Sequence, residues 1–132
     1  MEPGCEWIVD AHGCDPSRLR SLETLQALFA RIVEELGLRP VASPTWHQFP
    51  DAGGITFVVV LSESHLTCHT FPERRFAALN LYCCRPRPSW PWAERLAEAL
   101  GATDVQVTTQ NRGVGSSSSR AWPATSRDQT AC

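Results

Sequence analysis

The run "GITFVVVL", residues 54–61, constrains this chain more than any other stretch. It is short and rich in β-branched residues, so a strand buried in a sheet is the favoured form. Further strands are expected at Trp7–Asp10, Trp46–Phe49, residues 76–83 and residues 104–109. Between them, Leu19, Leu22, Leu25, Leu28, Phe29, Ile32, Val33 and Leu36 recur at helical spacing, with Ser17 placed to cap the helix. Gly37 and Pro40 end it. A second helix, "WAERLAEALG", follows the proline-rich loop "RPRPSWP". The order β-α-β-β-β-α-β predicts an α+β fold: a two-layer sandwich, with a mainly antiparallel sheet and two helices on one face.

The chain has 132 residues, enough for one domain that buries a sizeable core. The last strand ends before Val114, after which "GSSSSRAWPATSRDQTAC" reads as a disordered tail. Residues 1–113 are therefore expected to form the domain and 114–132 the tail. A net charge of −2 with scattered basic residues argues against nucleic acid or an acidic membrane surface as partner. Arg74-Arg75 and the Arg85/Arg87 couple read as solvated loops. No run is long enough to span a bilayer, and "MEPGCEWIVD" lacks the parts of a signal peptide. A cytoplasmic setting is expected, with the six cysteines as thiols.

The stretch "LSESHLTCHTFPERRF", residues 61–76, sets two serines, two histidines and a cysteine between apolar runs. A metal site is disfavoured, because His65 and His69 are flanked by strands and the nearby Cys83 and Cys84 are vicinal. A serine hydrolase lacks its GxSxG elbow. The residues alone also allow the plainest reading, in which Ser64 and His69 are satisfied polar groups at a strand end.

"ESHLTCHTFPE", followed by Cys84 twenty residues after Ser64, resembles the bacterial S-adenosylmethionine decarboxylase proenzymes. So do "IVDAHGCD", "GIT", "AALNLYCC" and Arg112-Gly113, which extends the resemblance over roughly residues 6–113. It implies an enzyme that cuts itself between Glu63 and Ser64 and makes a pyruvoyl group from Ser64. That group forms a Schiff base with the substrate amine and drains electrons as carbon dioxide leaves. His69 matches the residue that assists processing, Thr56 a processing hydroxyl, and Cys84 the proton donor. Cys83 is expected to face the other side of its strand. Glu73 matches the carboxylate that holds the ribose hydroxyls, and Phe71 an aromatic that stacks on adenine. Phe49 is expected to supply a second ring. Ser64 and His69 are an odd number of residues apart, so the resemblance is expected to need a bend or bulge between them.

The implied product is decarboxylated S-adenosylmethionine for spermidine synthesis, and the implied assembly is a homodimer with a shared site. Several positions depart from the family pattern: Asn80 for an aspartate, Arg85 for a glycine, and Arg74-Arg75 for a Tyr-Gly-like pair. They leave open a pyruvoyl-dependent arginine or ornithine decarboxylase. The other alternative is an unprocessed regulatory or binding paralogue.

Overall fold

The structure is a computed structural model and describes residues 3–85 and 87–114. Alternation of apolar and polar side chains builds its sheet. In strand β1 (Cys5–His12), Cys5, Trp7, Val9 and Ala11 are buried while the residues between them face outward. Strand β3 (Ile55–Leu61) buries Ile55, Phe57, Val59 and Leu61, and strand β5 (Phe76–Cys83) buries Ala77, Leu79, Leu81 and Cys83. With the edge strand β2 (Thr45–Gln48), β4 (Ser64–Phe71) and β6 (Asp104–Asn111), the order across the sheet is β2-β3-β4-β5-β1-β6. Every neighbouring pair is antiparallel.

Two long helices close one face. Helix α2 (Leu22–Glu35) presents Leu25, Leu28, Phe29 and Ile32 to the sheet, and Phe29 meets Phe57 edge-on with ring centroids 4.7 Å apart. Helix α3 (Trp92–Leu100) adds Trp92, Leu96 and Leu100. A single turn, α1 (Pro16–Leu19), precedes α2, which corrects the expected cap. Asp15 caps α1, and the Ser21 hydroxyl accepts from the Thr24 amide to start α2. The expected α+β architecture is thus the observed one.

Strand β4 is an addition to the expected order. Its inward positions are Ser64, Leu66, Cys68 and Thr70, a row whose polar ends hide a core strand. Thr70 fits because its hydroxyl accepts from the Ile55 amide and donates to the Leu19 carbonyl, both at 2.8 Å. The strand is also regular, pairing without interruption from Ser64 to Phe71 with β5 and from Ser64 to His69 with β3. The expected bend or bulge between Ser64 and His69 is therefore absent.

Cys14, Cys68, Cys83 and Cys84 are free thiols, while Cys5 is disulfide-bonded, so the expectation of six thiols fails at that residue. The tail expected at 114–132 lies, apart from Val114, outside the described residues. No helix among the described residues is long and apolar enough to cross a membrane.

Candidate active site

The helices leave the other face of the sheet uncovered, and alternation sends most of the reactive side chains there. His65, Thr67, His69 and Phe71 project from β4; Thr56 from β3; Asn80 and Tyr82 from β5; Glu6, Ile8 and Asp10 from β1. Apolar members of this face stay in contact with solvent: Ile8 is 41 % exposed and Val60 51 %.

At one end of β4, Leu61 pairs with Ser64 across a two-residue turn, Ser62-Glu63. The Glu63-Ser64 peptide therefore joins the turn to the first residue of the strand. Ser64 stands opposite Cys83 on β5, and the two side chains touch on the helix-covered side. Burial pushes the Cys83 thiol up, against the contacts with Ser64 and Arg87 that pull it down. Cys84 lies just past the end of β5, half-buried, where its thiol contacts Tyr82 and is the first cause raising that phenol. Gly4 makes this corner possible. It has φ +85°, and a Cβ there would sit 1.8 Å from the Cys83 carbonyl oxygen.

The other end of β4 holds a different group. The Thr56 hydroxyl and His69 Nδ1 lie 3.3 Å apart, as facing residues of β3 and β4. Beside them a depression of about 380 Å³ is lined by Phe49, Thr56, His69, Phe71 and Glu73, with Asp51 at its rim. Gly54 keeps its floor tight, since a Cβ there would come within 2.6 Å of the Thr70 carbonyl oxygen. Phe71 stacks on Phe76, and Phe49 meets His47 edge-on at 4.7 Å.

Five of the expected site residues thus gather at one end (Thr56, His69, Phe71, Glu73 and Phe49), and Glu63, Ser64 and Cys84 at the other. Ser64 and His69 lie on opposite sides of the sheet, five residues apart on a straight strand, which is about 17 Å at the usual rise. Between the two groups runs a second depression of about 380 Å³, lined by Glu6, Asp10, His65, Thr67, His69 and Asn80 among others. The Asn80 amide nitrogen donates to the Glu6 carboxylate. Together with Arg112 at 2.7 Å, this bond holds the carboxyl below its ordinary range, and Asn80 is the larger influence.

One residue that the sequence did not single out belongs here, and another takes a partner that the sequence did not suggest. His47 faces Thr56 across β2 and β3, and alternation through "TWHQF" is the one signal that could have placed it. Arg85 Nε stands 2.5 Å from Glu63 Oε2 across the corner, a pairing no local pattern encodes.

This six-stranded fold is also that of a solved structure, the adenosylmethionine decarboxylase from Aquifex aeolicus. The TM-score is 0.71 over 91 % of this chain and 98 % of that one, at 23 % identity. The chain belongs to the S-adenosylmethionine decarboxylase family, whose model matches residues 5–113. Among curated relatives, it is 37 % identical to S-adenosylmethionine decarboxylase proenzyme 2 of Halalkalibacterium halodurans, over 82 % of this chain and 84 % of that one. It is 36 % identical to the S-adenosylmethionine decarboxylase proenzyme of Shouchella clausii, over 82 % and 83 %.

Proposed function

We propose that this chain is a proenzyme that cuts itself between Glu63 and Ser64 and then decarboxylates S-adenosylmethionine, giving the decarboxylated product used in spermidine synthesis. One observation carries the reading: the Glu63-Ser64 peptide sits at the mouth of a tight hairpin whose second strand begins at Ser64. A turn peptide leaves its carbonyl outside the ladder, open to attack. The strand that follows is held on both sides, by β3 and β5.

The cut requires serine. The Ser64 Oγ bonds to the Glu63 carbonyl carbon, the C–N bond breaks, and the hydroxyl proton ends on the freed amine. Loss of the Ser64 α-proton then breaks the Cβ–Oγ bond and releases Glu63 as a carboxylate. Water replaces the nitrogen of the resulting dehydroalanine, which leaves as ammonia. When present, the pyruvoyl group supplies the electron sink for decarboxylation. The corner fits such a group, because Ser64 opens a strand fixed on both sides and a cut there would not free it. Residues 1–63 would keep β1, β2 and β3, and residues 64–132 would keep β4, β5 and β6, interleaved in one sheet.

His69, steadied by Thr56, accepts the α-proton, a task suited to an imidazole near neutral pH. Cys84, a free thiol just past the end of β5, returns a proton to the substrate carbon. Cys83 is the poorer donor, turned toward the helices with its thiol pushed up. Glu73 offers two oxygens to the ribose hydroxyls, and Phe71 and Phe49 offer faces to the adenine. Cys84 is a free thiol, the form that a proton donor needs.

The separation of the two groups supports a homodimer. Two uncovered faces set against each other, with strands running in opposite directions, would carry each hairpin corner toward the partner's pocket. Apolar Ile8, Val60 and Phe71 would gain cover in that pairing. The relatives lend no support to an arginine or ornithine substrate.

Intact mass under denaturing conditions tests the reading. The expected result is two chains, residues 1–63 and 64–132, the second beginning with a pyruvoyl group. The cut protein is then expected to release carbon dioxide from carboxyl-labelled S-adenosylmethionine. A single unbroken chain after long incubation removes the self-processing reading, and a cut chain inert toward that substrate removes the decarboxylase assignment.

A further inference from the structure

The ion pair at the hairpin corner is built from the residue that is cut. Glu63 is the more enclosed partner, its side chain 19 % exposed against 63 % for Arg85. Arg85 Nε lies 2.5 Å from Oε2, yet no guanidinium N–H is aligned on that oxygen. Oε2 is therefore buried and ion-paired without a hydrogen bond. Among the described residues no second cation pairs with Glu63. Arg87, two residues on, turns instead to the carbonyls of Leu36 and Gly37, each at 3.4 Å.

We propose that Arg85 is a positioning residue for self-cleavage, whose guanidinium neutralises the Glu63 side chain while negative charge develops on that residue's own carbonyl. The proposal rests on the reading that the chain is cut between Glu63 and Ser64. Attack by the Ser64 Oγ places negative charge on the Glu63 carbonyl oxygen. Elimination then leaves Glu63 with a second carboxylate, made from that same carbonyl. Both charges arise a few bonds from a half-buried side-chain carboxylate, and like charges so close oppose each step. A guanidinium already paired with that side chain cancels its charge before either new charge arises. Glycine at position 85 could not.

The test follows splitting of the full-length chain after synthesis in a cell-free system, with samples quenched at intervals and resolved by denaturing mass spectrometry. Arg85→Gly is expected to slow splitting about fivefold, as a partly exposed ion pair allows. Arg85→Gln, which removes the charge and keeps most of the side chain, should do the same, and Arg85→Lys should restore most of the rate. The deciding comparison repeats Arg85→Gly in a Glu63→Gln chain. With no carboxylate to neutralise, it is expected to add no further loss to whatever rate Glu63→Gln sets.

An equal loss in both backgrounds overturns the proposal, because Arg85 would then be shaping the turn. A Glu63→Gln chain that never splits overturns it too, since the proposal makes that carboxylate an obstacle. A wild-type chain that splits while all Arg85 variants keep pace overturns the role of Arg85 and leaves the cleavage reading intact. A wild-type chain that never splits removes both.

Discussion

Strand β4 has two ends that do different work. At its start, Ser64 opens the strand beneath a tight turn, with Cys83, Cys84 and the Arg85–Glu63 pair around it. Near its finish, His69 and Phe71 border a pocket with Thr56, Phe49 and Glu73. The first end carries the bond to be cut and the proposed proton donor. The second carries the proposed proton acceptor and the groups suited to a nucleoside. A regular strand keeps them apart, so one copy holds every part and assembles none of them into a single site. Self-assembly across the uncovered face is the economical way to join them.

The largest effect expected tests that separation. Ser64→Ala removes the attacking hydroxyl and is expected to abolish splitting. His69→Ala is expected to slow it roughly 100-fold, the scale of a lost general base. Made together in one cell, the two variants should restore splitting of the His69→Ala chain, since its Ser64 would meet the partner's intact histidine. Denaturing mass spectrometry distinguishes the two chains, and absence of rescue would show that each strand serves only itself.

A smaller effect concerns the pocket end alone. Glu73→Gln is expected to raise KM for S-adenosylmethionine about tenfold, as loss of a charge-assisted hydrogen bond does, while leaving splitting unchanged. If Glu73→Gln blocks splitting, the pocket end does not separate substrate binding from processing as proposed.

The smallest effect lies between the ends. The Asn80 amide and Arg112 lower the folded pKa of Glu6 below its unfolded value. The stability this provides is fully present above the ordinary glutamate pKa of about 4.3 and is lost as pH falls through the folded value. Glu6→Gln should therefore be less stable than the native chain at pH 7, with the gap closing on acidification below pH 4. Denaturant midpoints at several pH values measure it, and a gap independent of pH would mean that the carboxylate charge is not the cause.

Much of the sheet was legible in the sequence because its strands are short runs rich in β-branched and apolar residues. "ITFVVVL" and "FAALNLYC" each place apolar residues on one face and are strands over the stretches expected. The four-residue α1 escaped notice because Pro16 and Asp15 start a turn inside what reads as one long apolar helix pattern. Strand β4 escaped because Thr70 sits where an apolar residue would signal the core, and its hydroxyl finds partners only after β3 and Leu19 are in place. The candidate site residues were named from a motif that lies almost wholly within one segment. The odd spacing of Ser64 and His69 already implied that they face apart on a regular strand, but only the pairing of β4 shows that the strand is regular.

By itself, then, the sequence determined the family, the cut site that family implies, and the layered fold. These rest on local runs of apolar residues and on a compact motif, which are properties of neighbours along a chain. Only the tertiary structure decided that β4 runs straight, that Ser64 and His69 lie on opposite sides of the sheet at opposite ends of one strand, and that Arg85 reaches back to Glu63. Those facts depend on register between strands and on the meeting of two corners 22 positions apart. Pairing geometry, not residue order, sets both.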